Sequence, residues 1–187
     1  IVRRQASVIK AIGLKASVRR YGRLLRGHSV DAAHYDSWFR QHRDAGRDAG
    51  RIQRSIETFD YRPCISLITP VFNTDPRWLR RLVDSVKAQT YPDWEHCLAD
   101  DGSTREETRT MLAAIEHEDP RIKVVRLPQN AGISAASNAA LAQATGEFIA
   151  LVDHDDELAQ DALFEASRLF FTHRDANVVY TDALRDD

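Results

Sequence analysis

From Pro63 onward the chain alternates short apolar runs with capped amphipathic stretches, and this rhythm constrains its fold more than any other feature. Ile65-Ser66-Leu67-Ile68-Thr69 reads as a buried strand, as do Trp94 to Ala99, Ile122 to Leu127, Phe148 to Val152 and Asn177 to Thr181. Between the first two, Asp75 is placed as an N-cap and Pro76 as a first helical residue, ahead of Trp78, Leu79, Leu82, Val83 and Val86 on one face. Thr104 with Glu107 has capping-box spacing for a helix carrying Met111, Leu112 and Ile115. An Ala-rich helix is expected over Ser134 to Ala144, stopped by Gly146, and another over Ala159 to Thr172. Strands separated by helices join in parallel through right-handed crossovers. The expected fold is α/β, a Rossmann-like and mostly parallel sheet flanked by helices.

The residues before Pro63 follow a different pattern. Residues 1–62 hold 14 Lys and Arg against 6 Asp and Glu, whereas residues 63–187 hold 12 against 22. A division near Arg62-Pro63 follows, with a basic helical extension over 1–62 and the α/β part over 63–187. Leu14, Val18, Tyr21 and Leu25 form one apolar stripe among Arg19, Arg20, Arg23 and Arg26, and a second helix is expected over Ala32 to His42. A basic amphipathic helix can lie on an anionic membrane surface or pack on a neighbouring domain, and the second reading is preferred. The Gly/Asp/Arg-rich stretch Asp44 to Gly50 breaks the pattern. Its first residue, Ile rather than Met, suggests a piece of a longer polypeptide. No run reaches the ~18 apolar residues of a membrane span. Cys64 and Cys97 have no metal-ligand spacing and are expected as reduced thiols. A cytoplasmic place is expected, with contact on the inner face of the membrane through the basic helix as an option.

Chemistry concentrates where apolar runs end. Phe148-Ile149-Ala150-Leu151-Val152 runs straight into Asp153-His154-Asp155-Asp156. In extended chain Asp153 and Asp155 point the same way, and two hard oxygen ligands suit Mg²⁺ or Mn²⁺ with phosphate and water completing the shell. An acidic helix cap explains the local spacing equally well. Asp100 and Asp101 end the second strand in the same manner, so both groups can face one crevice at the carboxyl edge of a parallel sheet. Between them, Asn130-Ala131-Gly132-Ile133-Ser134 offers small residues and a helix start suited to an anion, with Asn138 on the same helical face as Ser134. Neither a P-loop nor a Gly-x-Gly-x-x-Gly fingerprint is present.

Taken together, Ile65 to Asn73, Gln89-Thr90-Tyr91-Pro92, Asp100-Asp101-Gly102-Ser103, Asn130 through Glu147 and Asp153 to Asp156 resemble, in order and spacing, the start of a family 2 glycosyltransferase of GT-A fold. Tyr180-Thr181-Asp182 resembles a further element common in bacterial polysaccharide and O-antigen members. The resemblance covers residues 63–187 and implies the donor-binding part of such an enzyme. It implies a nucleoside-diphosphate sugar as donor, UDP- or dTDP-linked, and a glycan or lipid-linked glycan as acceptor. Pro70, Val71, Phe72 and Asn73 would border the nucleotide, with Phe72 where many relatives carry tyrosine. Asp101 would accept from the base N3–H, with Gly132, Asn138 and Asp153 also at the nucleotide. Asp153 and Asp155 would hold the divalent ion (Mn²⁺ or Mg²⁺), supported by Asp156, with His154 turned away. Ser137 stands where many relatives have arginine, which leaves that contact open.

Transfer with inversion needs a general base near the acceptor hydroxyl. The resemblance places it beyond Asp187, so no catalytic residue is assigned and the chain alone is expected to be inactive, and to self-associate or depend on a partner. Its rivals are a non-catalytic nucleotide-binding or assembly module and, far behind, an acidic-pocket receiver domain, which wants its acids where Pro70-Val71-Phe72-Asn73 stands. No nucleic-acid partner is expected.

Overall fold

A computed structural model describes residues 1–3, 49–173 and 178 of the chain. The elements in order are β1 (Val2–Arg3), α1 (Ala49–Glu57), β2 (Ile65–Val71), α2 (Pro76–Lys87), β3 (Trp94–Asp100), α3 (Glu106–Glu116), β4 (Ile122–Arg126), α4 (Ile133–Gln143), β5 (Phe148–Leu151) and α5 (Ala162–Thr172). The sheet runs β1-β5-β2-β3-β4. Strands β5, β2, β3 and β4 are mutually parallel, and β1 joins β5 antiparallel, pairing Val2 with Ile149 and Arg3 with Phe148.

Central position explains composition. Strand β2 has neighbours on both edges and helices on both faces, so Ile65, Leu67, Ile68 and Val71 are all buried. One face of the sheet packs under Ile52 and Ile56 of α1, Leu79, Leu82, Val83 and Val86 of α2, Leu112 and Ile115 of α3, and Phe164 and Phe170 of α5. On the other, Ile68, Cys97, Ala99 and Ile149 meet Ala136 and Ala140 of α4. Alanine on that helix lets its backbone lie close to the sheet, which matters because α4 opens directly on the carboxyl edge. Gly146, just before β5, makes a comparable approach: a Cβ there would stand 2.5 Å from Ser66 Oγ.

The alternating pattern holds for four parallel strands and their helices. Asp75 caps α2 by accepting from Arg77 N at 2.8 Å, with Pro76 first in the helix. The capping box at Thr104 does not form: α3 starts two residues later, its N-cap Arg105 makes no side-chain cap bond, and the amides of Thr104 and Arg105 donate to Asn73 Oδ1 instead. Helix α5 starts at Ala162, after a turn in which Ala162 N donates to Ala159 O.

Two elements were not foreseen. Helix α1 begins inside the Gly/Asp/Arg-rich stretch, where Ile52 and Ile56, four apart, turn one face into the core. Strand β1 is too short to carry a periodic signal. The helices expected over Leu14 to Leu25 and Ala32 to His42 lie outside the described residues. So does the strand expected over Asn177 to Thr181, apart from Val178, an exposed single-residue bridge. No described helix is long and apolar enough to cross a membrane.

Candidate functional site

Parallel strands end together, and at their common carboxyl edge lies a cleft of about 430 Å³. It is lined by Pro70, Val71 and Phe72 from the end of β2, Asp101 after β3, Asn130 and Gly132 after β4, Ile133 and Ala136 of α4, and Asp153, His154 and Asp155 after β5. Phe72 is 41% exposed and Ile133 is 67% exposed, so the apolar part of the lining is open to a ligand.

Asp101 is the best-anchored group. It is 3% exposed, and its two oxygens accept from Ala131 N and Gly132 N, both at 2.8 Å. A carboxylate oxygen has two lone-pair sites, so each retains one acceptor position. The neighbouring turn is built for closeness: Asp100 Oδ1 accepts from Ser103 N, and Gly102 has φ 67°, where a Cβ would fall 2.6 Å from Gln129 C. Only glycine fits that combination of left-handed backbone and contact. Asp101 and Gly102 together thus fix the loop over 129–132 as one wall of the cleft.

The acidic loop differs in being open. Asp153 and Asp155 are exposed at the cleft, and Asp156 is pushed up, first by burial and then by the charges of Asp153 and Asp155. No Lys or Arg lines the cleft to balance them. His154 lines the cleft; its Nδ1 lies 3.7 Å from Asp155 Oδ1, and that nitrogen is buried with no hydrogen-bond partner among the described residues. Among the described residues no three His, Cys, Asp or Glu converge to hold an ion alone. A pair of carboxylates in an otherwise unneutralised cleft fits a hard cation that takes its remaining ligands from phosphate oxygens and water.

Of the residues singled out from the sequence, Pro70, Val71, Phe72, Asp101, Gly132, Asp153 and Asp155 come together in this cleft. Asn73 and Asn138 are not in its lining. Asn73 adopts φ 51° and faces the β3 turn, its backbone N donating to Ser103 Oγ and its side-chain Oδ1 accepting from the amides of Thr104 and Arg105 just ahead of α3. Left-handed backbone is tolerated by Asn better than by most residues, which suits this brace. Asn130, Ile133, Ala136 and His154 join the lining without having been assigned a role there. The first three lie inside the small-residue stretch already marked by its composition.

The model of glycosyl transferase family 2 matches residues 66–183. The chain belongs to that family. Among curated relatives, the O-antigen biosynthesis protein RfbC of Myxococcus xanthus is 31% identical over 153 residues, 80% of this chain. The chain spans only 12% of RfbC's length. Among solved structures, S. aureus TarS 1-349 in complex with UDP-GlcNAc is 30% identical at a TM-score of 0.55, covering 59% of this chain and 32% of TarS. The mannosyltransferase PcManGT of Pyrobaculum calidifontis, in complex with GDP-Man and Mn²⁺, is 26% identical at a TM-score of 0.54, covering 65% of this chain and 38% of its own. The Rossmann-like GT-A sheet expected of a bacterial family 2 glycosyltransferase is therefore the fold this chain has.

Proposed function

We propose that residues 63–187 form the donor-binding part of a glycosyltransferase that moves a sugar from a UDP- or dTDP-linked donor to a glycan or lipid-linked glycan acceptor, with residues 1–62 as an extension to it. One observation carries this reading: Asp101, Asp153 and Asp155, distant in sequence, meet at a single cleft beside Pro70, Val71 and Phe72. The UDP-GlcNAc complex of TarS and the GDP-Man and Mn²⁺ complex of PcManGT support it by likeness.

In this reading the base lies against Phe72 and Ile133, and the open acceptor positions of Asp101 receive the N3–H of uracil or thymine. Cytosine offers an acceptor at N3, so the same carboxylate repels it. Asp153 and Asp155 would hold Mn²⁺ or Mg²⁺, and such an ion would supply positive charge to stabilise the departing nucleoside diphosphate. Transfer proceeds with inversion, and its general base is not assigned to any residue of the cleft. The extension's basic stripe, Arg19, Arg20, Arg23 and Arg26, is the part that would touch an anionic membrane face.

Calorimetric titration with uridine and cytidine diphosphates, each with and without Mn²⁺, tests the site. Uridine diphosphate should bind more tightly, and Mn²⁺ should strengthen it in the wild type but not in Asp155→Ala. Indifference of the wild type to Mn²⁺ would remove the metal from the proposal.

A further inference from the structure

The Gln89-Thr90-Tyr91-Pro92 motif has no place in the cleft, yet it is among the most heavily bonded stretches of the chain. Gln89 follows α2 directly and is 8% exposed. Its Nε2 donates to Ala159 O at 2.7 Å and to Ser85 O at 3.1 Å, while its Oε1 accepts from Leu163 N at 3.0 Å. Only an uncharged amide can donate to the carbonyls and accept from the N–H at once, which is why the position needs Gln rather than Glu or Lys. Thr90 N donates to Gln160 O at 2.9 Å, and Ser85 Oγ accepts from Leu158 N at 3.1 Å. Arg81, further up α2, forms an ion pair with Glu157.

Residues 157 to 160 are therefore fastened one after another along α2. That fastening begins one residue after Asp156. On its other side the acidic loop is tied to the sheet, where Val152 N donates to Ile68 O at 3.1 Å. Between those anchors Asp153, His154, Asp155 and Asp156 have one internal turn bond, Asp156 N to Asp153 O. The loop that displays the two carboxylates owes its course to its two ends.

We infer that Gln89 is a positioning residue for the cation site: by bonding the backbone at Ala159 and Leu163 it strains out slack beyond Asp156 and sets the spacing of the Asp153 and Asp155 carboxylates. This rests on the metal reading above. Groups that orient metal ligands without touching the ion typically change affinity about 10- to 100-fold when removed.

The test compares Gln89→Met, which keeps the length of the side chain but loses its bonds, with Tyr91→Phe. Tyr91 belongs to the same motif, but its hydroxyl donates to Pro63 O at 2.8 Å, away from the acidic loop. Each variant is studied well below its melting transition. In Gln89→Met, Mn²⁺ should bind about tenfold more weakly by electron paramagnetic resonance. Amide hydrogen exchange over 153–160 should quicken in the metal-free protein. Uridine diphosphate binding in EDTA should not change. In Tyr91→Phe, Mn²⁺ affinity and exchange over 153–160 should stay as in the wild type. Should Gln89→Met fail to fold, Ser85→Ala removes one fastening only, and a smaller change in the same direction is expected. Wild-type Mn²⁺ affinity and exchange in a folded Gln89→Met, or in Ser85→Ala if that variant is used, overturns the inference, as does an equal weakening in Tyr91→Phe. A wild type that binds no Mn²⁺ sinks the metal reading instead, and the exchange data still decide whether Gln89 holds the loop.

Discussion

The two edges of the sheet handle charge in opposite ways, buried and paired at one and exposed at the other. At the amino edge, Glu95 is surrounded: its carboxylate accepts from Ser66 Oγ at 2.6 Å, Lys123 Nζ at 2.7 Å, Thr145 Oγ1 at 2.9 Å and Gly146 N at 3.0 Å, and from Thr145 N as well. Strands β2, β3 and β4 and the entry to β5 are thereby tied by one carboxylate. At the carboxyl edge, Asp153 and Asp155 face a cleft with no cation in its lining. Saturated polar networks stabilise a fold, whereas a group left unsatisfied at an open crevice is a place for a ligand. The edge that holds the chain together and the edge proposed to meet its substrate are at opposite ends of the strands.

Five measurements can break or sharpen this contrast. The largest effect is expected at Glu95: Glu95→Ala removes the shared acceptor of Ser66, Lys123, Thr145 and Gly146 at once, and urea unfolding should show a loss of about 3 kcal/mol or more. Asp155→Ala, at the other edge, should leave urea stability within about 0.5 kcal/mol of wild type. A comparable loss at both edges would erase the distinction.

Asp101 lies between the two extremes, because each of its oxygens holds one amide and keeps one acceptor position for a ligand. Asp101→Ala should weaken uridine diphosphate binding by about 1–3 kcal/mol in EDTA, as read by calorimetry. An unchanged affinity would assign Asp101 to the loop alone.

Acid should attack the interior and the amino edge in sequence. His96 is fully buried, its Nε2 is 3.0 Å from Thr69 Oγ1, its Nδ1 has no partner among the described residues, and burial depresses it to about 3. The unfolded chain therefore takes up that proton first, from about pH 6.5 downward. Stability should fall by up to about 1.4 kcal/mol per pH unit below this point. Glu95 is held down to about 2; burial opposes its charge, but the bonds from Lys123, Ser66 and Thr145 outweigh it. Its contribution is complete above about pH 4.5 and is lost as pH falls toward 2. Denaturation monitored from pH 7 to pH 3 should show His96→Leu flattening the slope down to about pH 4.5 and reducing it below that, where the Glu95 contribution remains.

A modest effect belongs to Tyr91→Phe, which removes the Tyr91 to Pro63 bond. A loss of about 1 kcal/mol in urea unfolding is expected, with nucleotide affinity unchanged.

The strands of the sheet were readable because apolar runs of four to seven residues bounded by Gly, Pro and Asp have few other uses. Asp101, Asp153 and Asp155 were readable for a related reason: carboxylates at strand ends of like polarity must share an edge. What escaped was whatever depends on partners far along the chain. Thr104 has local capping-box chemistry, but Asn73, thirty-one residues earlier, captures its amide first. The role of Gln89 depends on backbone seventy residues away, and no periodicity announces it. Helix α1 hid behind glycines that pattern reading treats as breakers, although Ile52 and Ile56 carried the right spacing.

The wall formed by residues 129–132 is stitched to Asp101 and leaves no room for a side chain at Gly102. On the proposed donor-binding reading, an arriving nucleotide would meet a surface whose amides are already held, and association need not freeze that loop. Affinity on this side of the cleft should owe more to rigidity present before the encounter than to closure after it, so off-rates rather than on-rates should respond when the stitching is cut.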